Sequence, residues 1–292
     1  MTQWQLNKIM PMSDAEYALW IALLEERTGI VLPELRKSFL LSKLSIRMRE
    51  LGIHEYKRYF AYVTHGKPGR VEWEILVDRL TVHETRFFRD SQALSFIKKT
   101  YLEKLNFKNG NPKVHVWSVG CATGEEPYSL MMYIDKFMTV LKKKCYLSVT
   151  ASDISHDALT VGKKAIYHKN RFNNVPSEYI EDYVDAVDQQ HYQVKDVLRK
   201  RICFNKLNLT ELEKSAVGEM NIILCQNVLI YFKREKRIEI LNKLIQHLLP
   251  EGLLILGAGE ITDWHNSEME SIGRDGVLAF QRKAVQPQRI HA

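Results

Sequence analysis

The chain has 292 residues, of which 45% are hydrophobic, so it is long enough for one large domain or two smaller ones and is neither disordered nor collagen-like. Its 42 lysines and arginines against 35 acids give a net charge of +7, which favours an acidic partner, although a solvated basic surface is the alternative. No run of about 18 apolar residues and no signal-peptide pattern occurs, which predicts a cytoplasmic protein without membrane insertion.

Residues 1–80 predict a helical domain. The stretch SDAEYALWIALLEERTG opens with a capping box, formed by Ser13 and Glu16, and ends at Gly29. Three more helical patterns follow in PELRKSFLLSKLSIRMRELG, HEYKRYFAYVTHG and RVEWEILVDRL. Four helices without a strand predict a separate unit.

The rest of the chain predicts an α/β fold. Residues 81–110 are interpreted as an interdomain segment with a helix from about Ala93 to Leu105, and residues 286–292 as a frayed tail. Between them, residues 111–285 alternate strands with helices, as in a parallel sheet whose ligand lies at the strands' carboxyl ends. The strand candidates are KVHVWSV, YLSVTASD, RICFNKLNL, NIILCQNV, LLILGAG and DGVLAFQRK.

The four cysteines predict buried free thiols. They are far apart, lack the spacing of a zinc or redox motif, and lie in apolar, strand-like stretches. We therefore expect no metal and no disulfide. The cysteines are Cys121, Cys145, Cys203 and Cys225.

The stretch VWSVGCATGEEPYSLMMY predicts a strand, a glycine turn and a helix. Gly120 and Gly124 let the backbone pass close to a ligand, but the glycines are too few for a dinucleotide fingerprint. Glu125 and Glu126 would repel a pyrophosphate and attract a cation without phosphate, such as S-adenosylmethionine. Alternatively, the two acids only stabilise the amino end of the helix.

Asp153 ends the next predicted strand. A carboxylate at that position typically accepts hydrogen bonds from both ribose hydroxyls of a bound nucleoside. The alternative is a helix cap, because Asp153 or Ser155 could cap the helix that begins in SDISHDAL.

Polar residues also follow the strand NIIL, in the stretch CQNVLIYF. Gln226 and Asn227 come at the strand's carboxyl end, and Tyr231 would lie near the same face if the segment is helical. An ordinary strand-to-helix loop is the alternative. The (Asp/Asn)-Pro-Pro-aromatic loop of DNA amino-methyltransferases does not occur here, which argues against nucleic acid as a methyl acceptor.

Five segments together resemble the CheR-type chemotaxis receptor methyltransferases, which are protein-glutamate O-methyltransferases. The segments are LTVHETRFFRD, VWSVGCATGEEPYSL, ASDISHDAL, CQNVLIYF and LLPEGLLILGAGE. The resemblance implies a Rossmann-like, class I S-adenosylmethionine-dependent methyltransferase domain, a helical N-terminal domain and a small antiparallel β insert at about 185–205. It also implies that the partner is the cytoplasmic helical domain of a chemoreceptor.

The resemblance further implies roles for individual residues. Arg89 would reach into the cofactor site, and Tyr231 would line the region between cofactor and acceptor. Because a tight cation would weaken the acceptor carboxylate, we expect Arg89 to be an orienting or cofactor-carboxylate contact and Tyr231 to donate a hydrogen bond to the acceptor glutamate. Asn208 and Leu209 would border the adenine, and Asp153 would hold the ribose. The remaining cofactor contacts would be His83, Thr85, Gly120, one of Glu125 and Glu126, Gln226 and Asn227.

Three positions depart from the family's usual pattern. His83 stands where Asn is usual, Gln226 where Arg is common, and GAGE where a GHSE-like sequence is expected. Cofactor binding should survive these changes. They are compatible with a specialised branch, such as the pilus-associated (PilK-like) methyltransferases.

The resemblance also bears on receptor binding. Arg36, Lys43 and Arg47 share one stripe of a predicted helix. A basic stripe by itself is typical of a solvated helix face. The resemblance favours a docking role instead, because the family is thought to dock receptors on a basic N-terminal helix. The stretch Tyr183–Phe204 lacks the glycine-containing loop through which some members bind a receptor's C-terminal pentapeptide. We therefore expect docking without that tether.

Two other functions remain open. One is a methyltransferase acting on a small molecule or RNA, which would need a lidded pocket or a basic groove with stacking aromatics. The other is a non-enzymatic regulator that binds S-adenosylmethionine. No feature of the sequence predicts an oligomer, so we expect a monomer.

Overall fold

The computed structural model describes residues 9–81, 83–108 and 110–284. The predicted tail therefore lies outside the described residues. The chain divides into two compact units. The first contains the described residues before His83 together with Tyr231–Lys233, and the second contains His83–Ile230 and the described residues from Arg234 onward.

The first unit is helical, as predicted. Ser13 and Glu16 form the expected capping box, and Gly29 ends the first helix with a φ of 72°. The apolar sides of the helices meet in one core that includes Trp20, Leu44 and Tyr59. The helices are α1 (Asp14–Thr28), α2 (Lys37–Glu50, after a 3₁₀ turn at Glu34–Arg36), α3 (Tyr56–Thr64) and α4 (Gly66–Leu80).

The second unit alternates strands and helices. Its helices are α5 (Ser91–Thr100), α6 (Glu125–Val140), α7 (His156–Lys164), α8 (Ser177–Tyr183), α9 (Asp196–Arg199) and α10 (Arg234–Leu244). Its strands are β1 (Lys113–Val119), β2 (Tyr146–Asp153), β3 (Ile166–His168), β4 (Val184–Ala186), β5 (His191–Val194), β6 (Ile202–Lys206), β7 (Met220–Cys225), β8 (Leu248–Leu256), β9 (Met269–Ser271) and β10 (Leu278–Arg282). Short 3₁₀ turns occur at Leu102–Lys104, Lys169–Phe172, Leu209–Lys214, Leu229–Tyr231 and Ile245–His247.

The main sheet has the strand order β6-β2-β1-β7-β8-β10-β9. The pairings from β6 to β8 are parallel, and β10 pairs antiparallel with β8 and β9. Val116 of β1 lies beside Val149 of β2 and Ile222 of β7, and all three are buried. The chain leaves β1 toward β2 and later returns to its other side as β7, so a ligand crevice is expected at the carboxyl ends of β1 and β7.

A second, three-stranded antiparallel sheet has the order β3-β5-β4. The insert was expected at about 185–205, but its strands run from Ile166 to Val194, and Ile202–Lys206 forms β6 of the main sheet. The misplaced bounds have a simple cause. β3 has three residues, too few to show an alternating pattern.

The segment 81–110 was expected to link the two domains, but from His83 onward it is part of the second unit. The fully buried Phe87 stacks on Phe172 with ring centroids 4.3 Å apart and meets Tyr167 edge-on. These aromatic contacts fasten the segment to the second unit.

All four cysteines are free, but only two of the four are buried as predicted. Cys121 and Cys225 are buried, Cys145 is half-buried and Cys203 is exposed. Cys203 lies on the edge strand β6, where its neighbours Ile202 and Phe204 point inward and Cys203 points outward. Among the described residues, no helix has the length and apolarity needed to cross a bilayer.

Candidate functional site

The turn after β1 brings two carboxyl-end loops into contact. Gly120 has a φ of 70°, and its N–H donates to the carbonyl oxygen of Ser152 at 2.7 Å. A Cβ on Gly120 would lie 2.1 Å from a methyl group of Val228, in the loop after β7. Only glycine fits where these loops meet.

Asp153 ends β2 beside this turn. Its Oδ2 accepts from the N–H of Ala122 at 2.8 Å, and its Oδ1 accepts from the N–H of Ser155 at 2.9 Å. Burial raises the pKa of Asp153, while these donors and the charge of His83 oppose that shift. The hydroxyl of Ser155 caps α7, so Asp153 is not the helix cap and its remaining lone pairs can accept ligand hydroxyls.

Glu125 begins α6 and is fully buried. Its Oε2 accepts from the hydroxyl of Thr123 at 2.6 Å, whereas its Oε1 has no hydrogen-bond partner. Arg171 holds Nη1 3.5 Å from that oxygen. Burial raises the pKa of Glu125, and Arg171 partly opposes the shift.

Glu126 keeps part of its surface exposed. Its Oε1 accepts from the hydroxyl of Ser118 at 2.6 Å. Desolvation raises the pKa of Glu126 to about 7, opposed by the Ser118 hydrogen bond and increased by the charges of Glu260 and Asp90. Of the two adjacent acids, Glu126 is therefore the one that keeps exposed surface, whereas Glu125 keeps none.

The segment 83–90 lies against these acids. The N–H of Phe88 donates to Ser129 Oγ at 2.9 Å, and Arg171 donates to the carbonyl oxygen of Thr85 at 2.8 Å. His83 acts electrostatically on Asp153 and Glu125.

Arg89, in the same segment, is near the other acid. It is exposed, donates to the carbonyl oxygen of Glu84 at 2.8 Å and acts electrostatically on Glu126. The structure thus places His83, Thr85 and Arg89 near these acids, while their contact with the cofactor stays a prediction.

The loop after β7 holds Gln226 and Asn227. The side-chain N–H of Gln226 donates to Oδ2 of Asp90 at 2.8 Å, so Gln226 ties the loop to the segment 83–90. Asn227 is exposed, with a φ of 61° that is uncommon outside glycine and better tolerated by Asn than by most residues. Its amide is available to a ligand.

Glu260 holds that loop and was missed by the sequence reasoning. Its Oε1 accepts from the N–H groups of Val228 at 2.7 Å and Leu229 at 2.8 Å, and its Oε2 from that of Gly257 at 2.7 Å. It is fully buried, which raises the pKa of its carboxyl. The departure from GHSE to GAGE directed attention to this stretch but not to its glutamate, because hydrogen bonds to backbone N–H groups leave no signal in a sequence.

A cavity of about 360 Å³ opens beside Asp153, at the carboxyl ends of β2 and β6. Ser152, Asn205, Leu207 and Asn208 are among its lining residues, whereas Leu209 is buried and does not line it. Asn208 thus lines the cavity next to Asp153, and its contact with the adenine stays a prediction.

Tyr231 belongs to the first unit, so its role at the reacting end stays a prediction. In the same unit Arg47 binds both carboxylate oxygens of the buried Glu72, at 2.8 and 2.7 Å, and also Glu50 at 2.8 Å. Arg47 therefore has an internal role, while Arg36 is exposed and Lys43 half-buried. The docking stripe as a whole stays a prediction.

Four buried or half-buried carboxyl groups, Glu125, Glu126, Asp153 and Glu260, surround one edge of the sheet. Such a site favours a cationic ligand and disfavours a phosphate. S-adenosylmethionine carries a sulfonium, an ammonium and two ribose hydroxyls, which fit the acidic surroundings, the acceptor Asp153 and the adjoining cavity. It supplies an activated methyl group. The described residues contain no cluster of metal-ligating side chains.

Two family models match nearly the whole chain. The model described as "CheR methyltransferase, SAM binding domain" matches residues 83–276. The model described as "CheR methyltransferase, all-alpha domain" matches residues 15–81.

Three curated relatives are similar over most of their length. The "Chemotaxis protein methyltransferase 1" of Pseudomonas aeruginosa is 32% identical, covering 86% of this chain and 92% of that protein. The "Chemotaxis protein methyltransferase" of Klebsiella aerogenes is 30% identical, covering 95% and 91%. That of Borreliella burgdorferi is 29% identical, covering 84% and 87%.

Proposed function

This chain belongs to the CheR methyltransferase family and is an S-adenosylmethionine-dependent methyltransferase of chemotaxis, and we propose that it methylates glutamate side chains on the helical cytoplasmic domain of a chemoreceptor. The reaction would take place in the cytoplasm, with the enzyme acting as a monomer. We further propose that Glu126, rather than Glu125, contacts the cofactor.

The observation that best supports a carboxylate acceptor is the loop after β7. Asn227 exposes an amide at the carboxyl edge of the sheet, in a loop held by Glu260. An amide N–H can orient a carboxylate without neutralising it. The loop offers no proline pair of the kind that grips an exocyclic amine.

The chemistry needs positioning more than proton transfer. A glutamate with an ordinary pKa of about 4.3 is already an anion at neutral pH, so it attacks the methyl carbon without a general base. One carboxylate oxygen forms the new bond as the sulfur–carbon bond breaks, and the electron pair goes to sulfur. The protein has to hold the oxygen in line with that bond and exclude water.

Arg89 and Tyr231 have different proposed tasks. A tight ion pair with the acceptor would weaken the nucleophile, so Arg89 is assigned an orienting contact close to Glu126. Tyr231 would donate one hydrogen bond to the acceptor glutamate.

Receptor docking is proposed on the surface formed by Arg36, at the end of the 3₁₀ turn before α2, and Lys43 of α2. We propose that it proceeds without a pentapeptide tether. The turn between β4 and β5 contains no glycine and is closed by Asp188, whose Oδ1 accepts from the N–H groups of Gln190 at 2.7 Å and His191 at 2.8 Å. A receptor fragment should therefore be methylated equally well with and without a C-terminal pentapeptide.

The decisive experiment is methyl transfer to a purified receptor cytoplasmic fragment from S-adenosylmethionine labelled in its methyl group. A glutamyl methyl ester releases volatile methanol in alkali, whereas a methylated amine does not. We expect alkali-labile label on the fragment and none when its candidate glutamates are changed to alanine.

Two outcomes would overturn the proposal. Alkali-stable label on the fragment would indicate another acceptor group. Label that appears in RNA or small molecules but not in any receptor fragment would favour the alternative methyltransferase function.

A further inference from the structure

A lysine-rich surface lies at the opposite edge of the main sheet from the candidate site. It is formed by the end of α5, the start of β1, the end of α6 and the start of β2, which all meet at the amino ends of the parallel strands. We call this the lysine face. Its eight lysines are Lys98, Lys99, Lys104, Lys108, Lys113, Lys142, Lys143 and Lys144.

Local contacts join these pieces into one surface. The N–H of Tyr146 donates to the carbonyl oxygen of Pro112 at 2.9 Å, and Lys113 pairs with Tyr146 across β1 and β2. Lys143 lies 5.5 Å from the ring centre of Phe107, and Lys98 lies 5.3 Å from that of Phe137.

The charges of the lysine face are not compensated internally. None of its lysines makes an ion pair within the described residues, whereas lysines elsewhere, such as Lys136, Lys236 and Lys243, do. The exposed Glu103 offsets one charge. The eight lysines repel one another even with Glu103 among them, and an anionic surface would relieve that repulsion.

Apolar side chains stand among these lysines. Val140 is 69% exposed, Leu141 45% and Tyr146 65%. They protrude from the end of α6 and the start of β2. Basic side chains around protruding apolar ones are typical of surfaces that enter the headgroup layer of a membrane.

We propose that the lysine face binds the surface of an anionic lipid bilayer. The unpaired cations of the face are lysines, and the neighbouring Arg201 is paired with Asp135. Lysine suits diffuse attraction to many headgroups better than paired recognition of protein carboxylates. The protruding side chains also suit a lipid layer, which accommodates them without a matching pocket.

The position of the face is compatible with catalysis. The seven residues of β1 separate it from the Gly120 turn by roughly 20 Å. The enzyme could therefore rest on a membrane while the cofactor edge stays accessible. The proposal stands apart from the identity of the methyl acceptor.

The test is co-sedimentation of the full chain with lipid vesicles. We expect binding to phosphatidylcholine vesicles containing about 30% phosphatidylglycerol in about 0.1 M salt, no binding to pure phosphatidylcholine, and release in about 1 M salt, where the Debye length falls to about 3 Å. Changing Lys142, Lys143 and Lys144 to Gln should weaken the partition constant at least about tenfold.

A matched control changes Lys57, Arg58 and Lys67 to Gln, which removes the same net charge from exposed positions of the first unit. It should keep vesicle binding, and both variants should bind S-adenosylhomocysteine as the unmodified chain does. Equal loss in both triple variants would overturn the proposal, because net charge alone would then explain it. An absence of vesicle binding would also overturn the proposal. If soluble polyglutamate then binds these lysines, the partner of the lysine face is an acidic protein instead.

Discussion

At the scale of single residues, two adjacent acids have different surroundings. Glu125 is fully buried, whereas Glu126 is partly exposed and has a pKa raised to about 7. The sequence predicted that one of them contacts the cofactor but could not choose, because the choice depends on how the segment 83–90 covers the start of α6.

Cofactor binding is predicted to depend on pH through Glu126. The cofactor's ammonium favours the ionised carboxylate, and Glu126 loses its proton as pH rises through about 7. Affinity for S-adenosylhomocysteine should therefore rise by up to about tenfold between about pH 6 and about pH 8, with proton release near pH 7. Calorimetric titration in two buffers of different ionisation enthalpy measures both effects.

The control for this prediction is Glu126→Gln, which should lose the pH dependence. Because the folded pKa is raised from 4.5, ionisation of Glu126 lowers stability as pH rises from about 4.5 to about 7. Glu126→Gln should then be the more stable protein above pH 7, by on the order of 1 kcal/mol. An unchanged pH profile in the variant would assign the titration to another group.

We predict that Arg47 has a structural role and that Lys43 has a receptor-docking role. Removing Arg47 leaves the carboxylate of Glu72, which is 2% exposed, with Tyr59 as its one hydrogen-bond partner among the described residues, at 2.6 Å. Arg47→Ala should cost about 3 kcal/mol of stability, measured by denaturant unfolding. Lys43→Ala should leave stability within about 0.5 kcal/mol and raise the KM for the receptor. Equal stability of the two variants would refute this division.

At the scale of elements, the site depends on the hydrogen bonds that hold the loops at the carboxyl ends of the strands. β1 and β2 begin and end where the sequence predicted, because each is a clear run of strand-forming residues. Asp153 and the Gly120 turn were predicted for the same reason, since both follow from where those strands end. Arg171 and Glu260 were not, because each acts on backbone groups that lie far away in sequence.

Glu260→Gln is predicted to loosen the loop of Asn227. The glutamine oxygen can still accept from Val228 and Leu229, but its NH₂ group would face the N–H of Gly257, and two donors cannot pair. We expect a loss of about 1–3 kcal/mol of stability and a fall of about tenfold in kcat, with a smaller change in the KM for the cofactor.

Two further variants sharpen that prediction. Gly257→Ala should act similarly, since a Cβ there would lie 2.6 Å from Oε2 of Glu260. Glu268→Gln removes a half-exposed partner of Arg282 and should change little. If Glu260→Gln keeps the wild-type kcat, the carboxylate does not position the loop for catalysis.

Arg171 is predicted to position the segment 83–90. Arg171→Met removes the donor to the Thr85 carbonyl and the cation nearest Glu125. The KM for S-adenosylmethionine should rise about tenfold, and Arg171→Lys should recover part of it. Lys169→Met, in the same 3₁₀ turn, is the charge-matched control. A KM shift of equal size in both Met variants would argue against a specific role.

At the scale of the whole molecule, each unit has its own core. A cofactor present at about 100 times its Kd adds about 2.7 kcal/mol to the stability of the part that binds it. We predict that S-adenosylhomocysteine slows amide hydrogen exchange in β1 and β2 and leaves α1 nearly unchanged. Mass spectrometry of peptic peptides measures this. Equal protection of α1 would mean that the two units unfold together.

The grouping of Tyr231–Lys233 with the helical unit has a consequence for protein synthesis. The N–H of Val31 donates to the carbonyl oxygen of Tyr231 at 2.7 Å, and Lys233 forms an ion pair with Glu25. Although α1 to α4 leave the ribosome first, these two contacts can form only after roughly 150 further residues beyond Leu80 have been translated. The domain that is translated first is thus completed late, and a chain that stalls before residue 231 would release a helical unit without its last contacts.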